Sequence, residues 1–197
     1  MTDTPARPSF SDRIVAMAHS KWLLLVLVAV ATVETTFLPM PYEAIFIALC
    51  LAARERIWLF ILASVLGSAI GGSIVYWIGA TYFETAVAWF GAGELVATYS
   101  ERFAERGSTF IFLGGTTPAP SYIINLIAGA SGFPYVEFVT IFSASRLLRF
   151  AVLGLLLFLF GDRLIAGWEA LPKIVRRGLT VLLIGGLIYW FVSGLSG

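Results

Sequence analysis

Twice in this chain an apolar stretch that begins as a membrane helix is cut short by a Pro-x-Pro, at Pro39-Met40-Pro41 and again at Pro118-Ala119-Pro120. Two prolines, each lacking a backbone donor and each restricting the residue before it, end a regular helix at that point. The stretch from Trp22 to Leu38 must therefore turn. The segment that follows, Tyr42 to Ala53, is too short to cross a bilayer core that needs about 20 helical residues. The economical reading is a re-entrant helical hairpin over 22–53, with Lys21 and Arg54/Arg56 on the same side. Irregular backbone at that depth survives only when protein or water covers it. Two short or tilted crossings are the alternative.

The same pattern recurs after the second break. Residues 108–133 form a second hairpin candidate, and full-length spans are expected over 57–79 and 138–160. Superposing the two Pro-x-Pro motifs also places Ile45 on Ile124 and Ser64 on Ser143. Each copy of "hairpin then span" crosses the membrane once, so the second enters from the opposite side, the inverted repeat found in transporters with broken helices. The fold class expected is an all-α polytopic membrane protein built on that repeat, with an additional C-terminal transmembrane helix in 179–197. Residues 1–21 read as a retained N-terminal segment, 80–107 as an interfacial amphipathic helix and 162–178 as a loop.

Composition agrees, since 59% apolar and 13% charged residues are far from a soluble domain. Basic loop residues sort strongly. Arg7, Arg13, Lys21, Arg54, Arg56, Arg163, Lys173, Arg176 and Arg177 fall on one expected side, against only Arg102 and Arg106 on the other. By the positive-inside rule the N-terminus is cytoplasmic. A net charge of +1 argues against nucleic acid as a partner. One cysteine and one histidine exclude a disulfide framework and a Cys/His zinc site, and no cofactor is expected.

Against this background Glu34, Glu43, Arg146 and Arg149 stand out, because charge at bilayer depth is costly and usually faces a partner or a watery cavity. Helical rise puts Glu34 roughly 18 Å and Glu43 roughly 15 Å in, with Arg146 and Arg149 at roughly 12 and 17 Å. The arginines are three apart and share a helix face. The chemistry expected is an anion site at the midplane, with guanidiniums on a phosphate or carboxylate and Glu34 or Glu43 as gate or proton carrier. The bland reading is that the acids pair with the arginines to fix packing. Thr116, Thr117, Ser121, Tyr122 and Asn125, around the second break, are candidates to line the same cavity, although such residues also hydrogen-bond within membrane bundles. Small-residue faces at Gly67/Gly71 and Ser143/Ala144 suit packing within one chain or in a homo-oligomer.

The run Glu34-Thr-Thr-Phe-Leu-Pro39-Met-Pro41-Tyr-Glu43, followed by Gly67-Ser-Ala-Ile-Gly71-Gly72, Tyr76 and Gly79, resembles the DedA family, also called the VTT or SNARE-associated domain. Thr117-Pro118-Ala-Pro120, Ala128-Gly129 and Arg146-Leu-Leu-Arg149-Phe resemble its YqaA-like branch. The resemblance, running from about Glu34 to Gly161, implies a bacterial inner-membrane protein with two facing re-entrant hairpins. It further implies a lipid translocase or scramblase that moves phospholipid or polyprenyl phosphate between leaflets, in some members with proton coupling. The family's acids near the first hairpin tip match Glu34 and Glu43. Its arginines around the second break are replaced here by Gly115, Thr116, Ser121 and Tyr122, so positive charge must come from Arg146 and Arg149. An intramembrane phosphotransferase would need a nucleophile with a base or a metal-binding carboxylate cluster, and His19 lies too near the terminus to serve as that base, so an enzyme is disfavoured. A non-transporting membrane organiser is the remaining class.

Overall fold

The computed structural model describes residues 20–36, 42–117 and 121–170, with positions 172 and 185. Its elements are all helical: α1 (Lys21–Thr36), α2 (Tyr42–Ala52), a 3-10 turn (Arg54–Arg56), α3 (Ile57–Phe90), α4 (Gly93–Thr116), α5 (Ser121–Ala130) and α6 (Tyr135–Ala170). Two of them are long and apolar enough to cross a membrane among the described residues, Arg54–Phe90 and Tyr135–Leu164, with mean hydropathies of 2.0 and 1.8. The shorter apolar helices α1, α2 and α5 pack around these. Both Pro-x-Pro motifs, and the expected C-terminal helix in 179–197 apart from position 185, lie outside the described residues.

Contacts fix the helix directions. Thr32 donates to the Gly67 carbonyl at 3.1 Å and Thr36 to that of Gly71 at 3.5 Å, so α1 runs parallel to α3. Tyr42 meets Ser64, and the chain then turns at Arg54–Arg56, so α2 runs antiparallel to α3. In the second half Ser108 bonds Glu137 and Gly115 abuts Ser145, which makes the end of α4 parallel to α6. Ser121 bonds Arg146 while Asn125 lies by Phe142 across Gly72, which makes α5 antiparallel to α6. Gly154 lies on Ile57 and Ile61, and Tyr76 on Phe138, so α3 and α6 are themselves antiparallel.

The approach of α1 to α3 depends on missing side chains: a methyl group at Gly67 would overlap the Val28 carbonyl and Ala31 Cβ. Small residues let backbones meet in the absence of a hydrophobic drive between helices. The crossing of α5 with α3 is tighter still, since a Cβ at Gly129 would fall onto the Tyr76 carbonyl. Gly129→Leu is therefore expected to lose about 1–3 kcal/mol of stability through forced displacement of α5. Thermal unfolding of the detergent-solubilised chain measures this, and an unchanged midpoint would contradict so close a crossing.

Two segments differ from expectation. Residues 80–107 are not one interfacial helix: α3 kinks at Tyr82 and ends where Gly91 turns left-handed, and α4 then starts and kinks at Arg106. Glycine takes that conformation without a Cβ penalty, which permits the chain to turn there between two arms. Residues 162–170, expected as loop, continue α6 as helix. There Gly161 packs against the Arg54 guanidinium and Leu51, and Arg54 reaches Asp162 at 2.7 Å.

Packing falls into two main apolar clusters. One gathers Leu27, Phe46, Phe60 and Phe150 around α1, α2 and the start of α3. The other gathers Tyr76, Phe103, Ile123, Phe138 and Phe142 around α4, α5 and the start of α6. The charged residues lie where these clusters meet.

Candidate functional site

Four helix ends and one helix middle converge on the charges. Glu43 begins α2, Glu34 lies in the last turn of α1, Thr117 follows α4, Ser121 opens α5, and Arg146 and Arg149 project from the centre of α6. Arg149 forms an ion pair with Glu43 through Nη2, and its Nη1 donates to the Thr117 carbonyl at 3.1 Å. One guanidinium thus joins the start of α2 in the first half to the end of α4 in the second. Both members of the pair keep partial access, their side chains being 20% and 35% exposed.

Arg146 sits differently. It is 2% exposed and heads the largest fully buried side chains among the described residues. Its Nη2 donates to Ser121 Oγ at 2.7 Å, and its guanidinium carbon lies 5.1 Å from the centre of the Phe142 ring, within cation–π range. A side chain enclosed in this way contacts a bulky ligand only if the helices part. Glu34 is partly buried, accepts a hydrogen bond from Thr35 Oγ1 at 3.2 Å, and interacts electrostatically with Arg146, Glu43 and Arg149. No ion pair joins Glu34 to either arginine among the described residues. The electrostatic design is one contacting pair, Glu43 with Arg149, beside one separated pair, Glu34 with Arg146.

The other candidates divide. Ser121 holds Arg146, and Thr117 contributes its backbone carbonyl to Arg149, while its hydroxyl donates back to Leu113 at 2.8 Å. Thr116 likewise donates to its own helix, at Phe112. Tyr122 points away from the charges and packs its ring on Phe90 at 5.2 Å. Asn125 is 0% exposed, one helical turn beyond Ser121. Among the described residues no three His, Cys, Asp or Glu side chains come together as metal ligands would.

Sequence reasoning missed three contributors. Thr35 orients Glu34, Phe142 covers Arg146, and Tyr42 bonds Ser64 at 2.6 Å beside the ion pair. The spacing of Ser64, Ser68 and Gly72 along one face of α3 was the available signal, but it reads as helix packing.

Compared with known proteins, the stretch from 38 to 159, which carries all the site residues except Glu34 and Thr35, matches the family model of the VTT domain. The chain belongs to the VTT-domain (DedA) family. A VTT-domain chain is a membrane protein, in keeping with the two long apolar helices here. A protein of Haemophilus influenzae, described as uncharacterized, is 24% identical over 176 residues, which is 88% of this VTT-domain chain and 92% of the relative. No solved structure matches the chain.

Proposed function

We propose that this VTT-domain protein carries anionic lipid between leaflets, as a translocase or scramblase, with the lipid phosphate bound at Arg149. The observation that carries the reading is the Arg149–Glu43 pair, which bridges the two halves of the molecule while staying partly accessible. A phosphate displaces the Glu43 carboxylate from a guanidinium suited to bidentate oxygen ligands. Displacement unties α2 from α6, so substrate binding and opening are one event. Glu43 is then the gate, and Glu34 holds the balancing charge or a transferable proton beside Arg146. The chain needs no catalytic residue for this and is not an enzyme.

The helix directions support a re-entrant, inverted arrangement: in each half a first arm runs parallel to the long helix and a second arm antiparallel, while the long helices oppose each other. In this reading the protein lies in the bacterial inner membrane with its N-terminus cytoplasmic, as its basic residues favour. Its relation to the YqaA-like branch rests on the motifs of the second half. The enclosure of Arg146 favours one second reading, a membrane organiser in which the charges lock the helices together.

The two readings separate in proteoliposomes. The purified chain should speed leaflet exchange of a fluorescent phosphatidylglycerol well above protein-free vesicles, and above exchange of a phosphatidylcholine probe. No acceleration of either lipid would overturn the transport reading and leave the organiser.

A further inference from the structure

We infer that ordered water binds in the seam between α3, α5 and α6, held by Ser68, Asn125 and Arg146. The seam has two levels. At one, Ser121 of α5 meets Arg146 of α6; at the next turn, Asn125 of α5 meets Gly72 of α3 and Phe142 of α6. A Cβ at Gly72 would lie 3.4 Å from Asn125 Nδ2 and 2.6 Å from a Phe142 ring carbon, so the amide and the ring meet over bare backbone. Asn125 by Gly72 and Gly129 on Tyr76, taken together, show α5 and α3 running in the same direction. Ser68, one turn before Gly72, therefore falls at the level of Ser121 and Arg146.

Ser68 and Asn125 are 0% exposed and Arg146 is 2%. Ser68 Oγ, both polar atoms of the Asn125 amide and Arg146 Nε have no hydrogen-bond partner among the described residues. Buried polar groups are nearly always bonded to protein or to ordered water. The chemistry of this set selects the ligand. Arg146 Nε only donates, Asn125 Oδ1 only accepts, and the Asn125 amine and Ser68 hydroxyl supply further donors. An anion has no proton for Asn125 Oδ1, and a cation is repelled by the guanidinium. Water both donates and accepts, and so satisfies all of them at once. The guanidinium is thereby solvated on its Nε edge by water and on its Nη2 edge by Ser121, which is how a cation persists here without a contacting carboxylate. This site is independent of lipid transport and makes Asn125 a water ligand instead of a substrate contact.

X-ray hydroxyl-radical footprinting of the full-length chain in nanodiscs tests the inference, because radicals formed from bound water label the rings beside it. Phe142 is 1% exposed and lines the seam, whereas Phe46 and Phe60 are equally buried in an apolar cluster. Phe142 is expected to label several-fold faster than Phe46 and Phe60, and to lose that excess in Asn125→Leu. A Phe142 rate no higher than those of the two control rings in the wild-type chain overturns the site, whether or not the variant folds. Labelling that persists undiminished in folded Asn125→Leu overturns it as well. Ser68→Ala, a milder change, should lower the excess without abolishing it.

Discussion

Arg149→Ala and Glu43→Gln should each slow lipid exchange in proteoliposomes by at least about tenfold, equivalent to about 1.4 kcal/mol, while leaving a folded, monodisperse protein. The two changes act by different routes. Arg149→Ala removes the phosphate ligand itself, so affinity for an anionic lipid falls along with rate. Glu43→Gln leaves the guanidinium in place and removes its competitor, so lipid binds at least as well but is not expelled when the pair would reform. Anionic-lipid binding measured beside exchange thus distinguishes ligand from gate. Arg149→Lys sharpens the assignment: a bidentate phosphate contact suffers, whereas a simple countercharge to Glu43 survives. Equal exchange by the wild type and both variants would remove this pair from the transport mechanism.

How much of this was legible in the sequence depends on whether the cause was local. Proline chemistry is local, so the ends of α1 and α4 and the starts of α2 and α5 follow from the two Pro-x-Pro motifs. The long apolar helices follow from hydropathy. Pairing is not local. Arg146 and Arg149 are three residues apart, and an α-helix separates such positions by about 60° around its axis. That is enough to direct one guanidinium to Ser121 on α5 and the other to Glu43 on α2. Nothing in spacing alone says which arginine is enclosed and which is reachable.

The remaining differences have the same origin. Gly161-Asp162-Arg163 reads as the end of a span, yet α6 continues because Gly161 admits the Arg54 guanidinium and Asp162 accepts its hydrogen bond. Ser68 reads as a small packing residue beside Gly67, and only the course of α5 along α3 brings it to the level of Ser121 and Arg146. Gly91 is visible in the sequence as a flexible residue, but its left-handed turn is set by the arms that fold back from it.

Arg146→Ala should instead cost stability, about 2–4 kcal/mol, read as loss of folded protein in a denaturant titration in detergent. Two effects oppose each other here. Removing a cation from bilayer depth relieves a penalty of at least ~2.5 kcal/mol on insertion scales. Against that, the largest enclosed side chain among the described residues vanishes, Phe142 loses its cation partner, Ser121 loses its donor and Glu34 loses a nearby positive charge. The losses outweigh the relief because the guanidinium is already bonded to Ser121 and stacked on Phe142, so much of its penalty has been offset in the native protein. Arg146→Met separates the contributions by keeping most of the volume and none of the charge. Recovery of stability in the methionine variant would assign the cost to the cavity, and an equal loss would assign it to hydrogen bonding and charge. Wild-type stability in Arg146→Ala would show that the enclosed arginine does not hold α5 against α6.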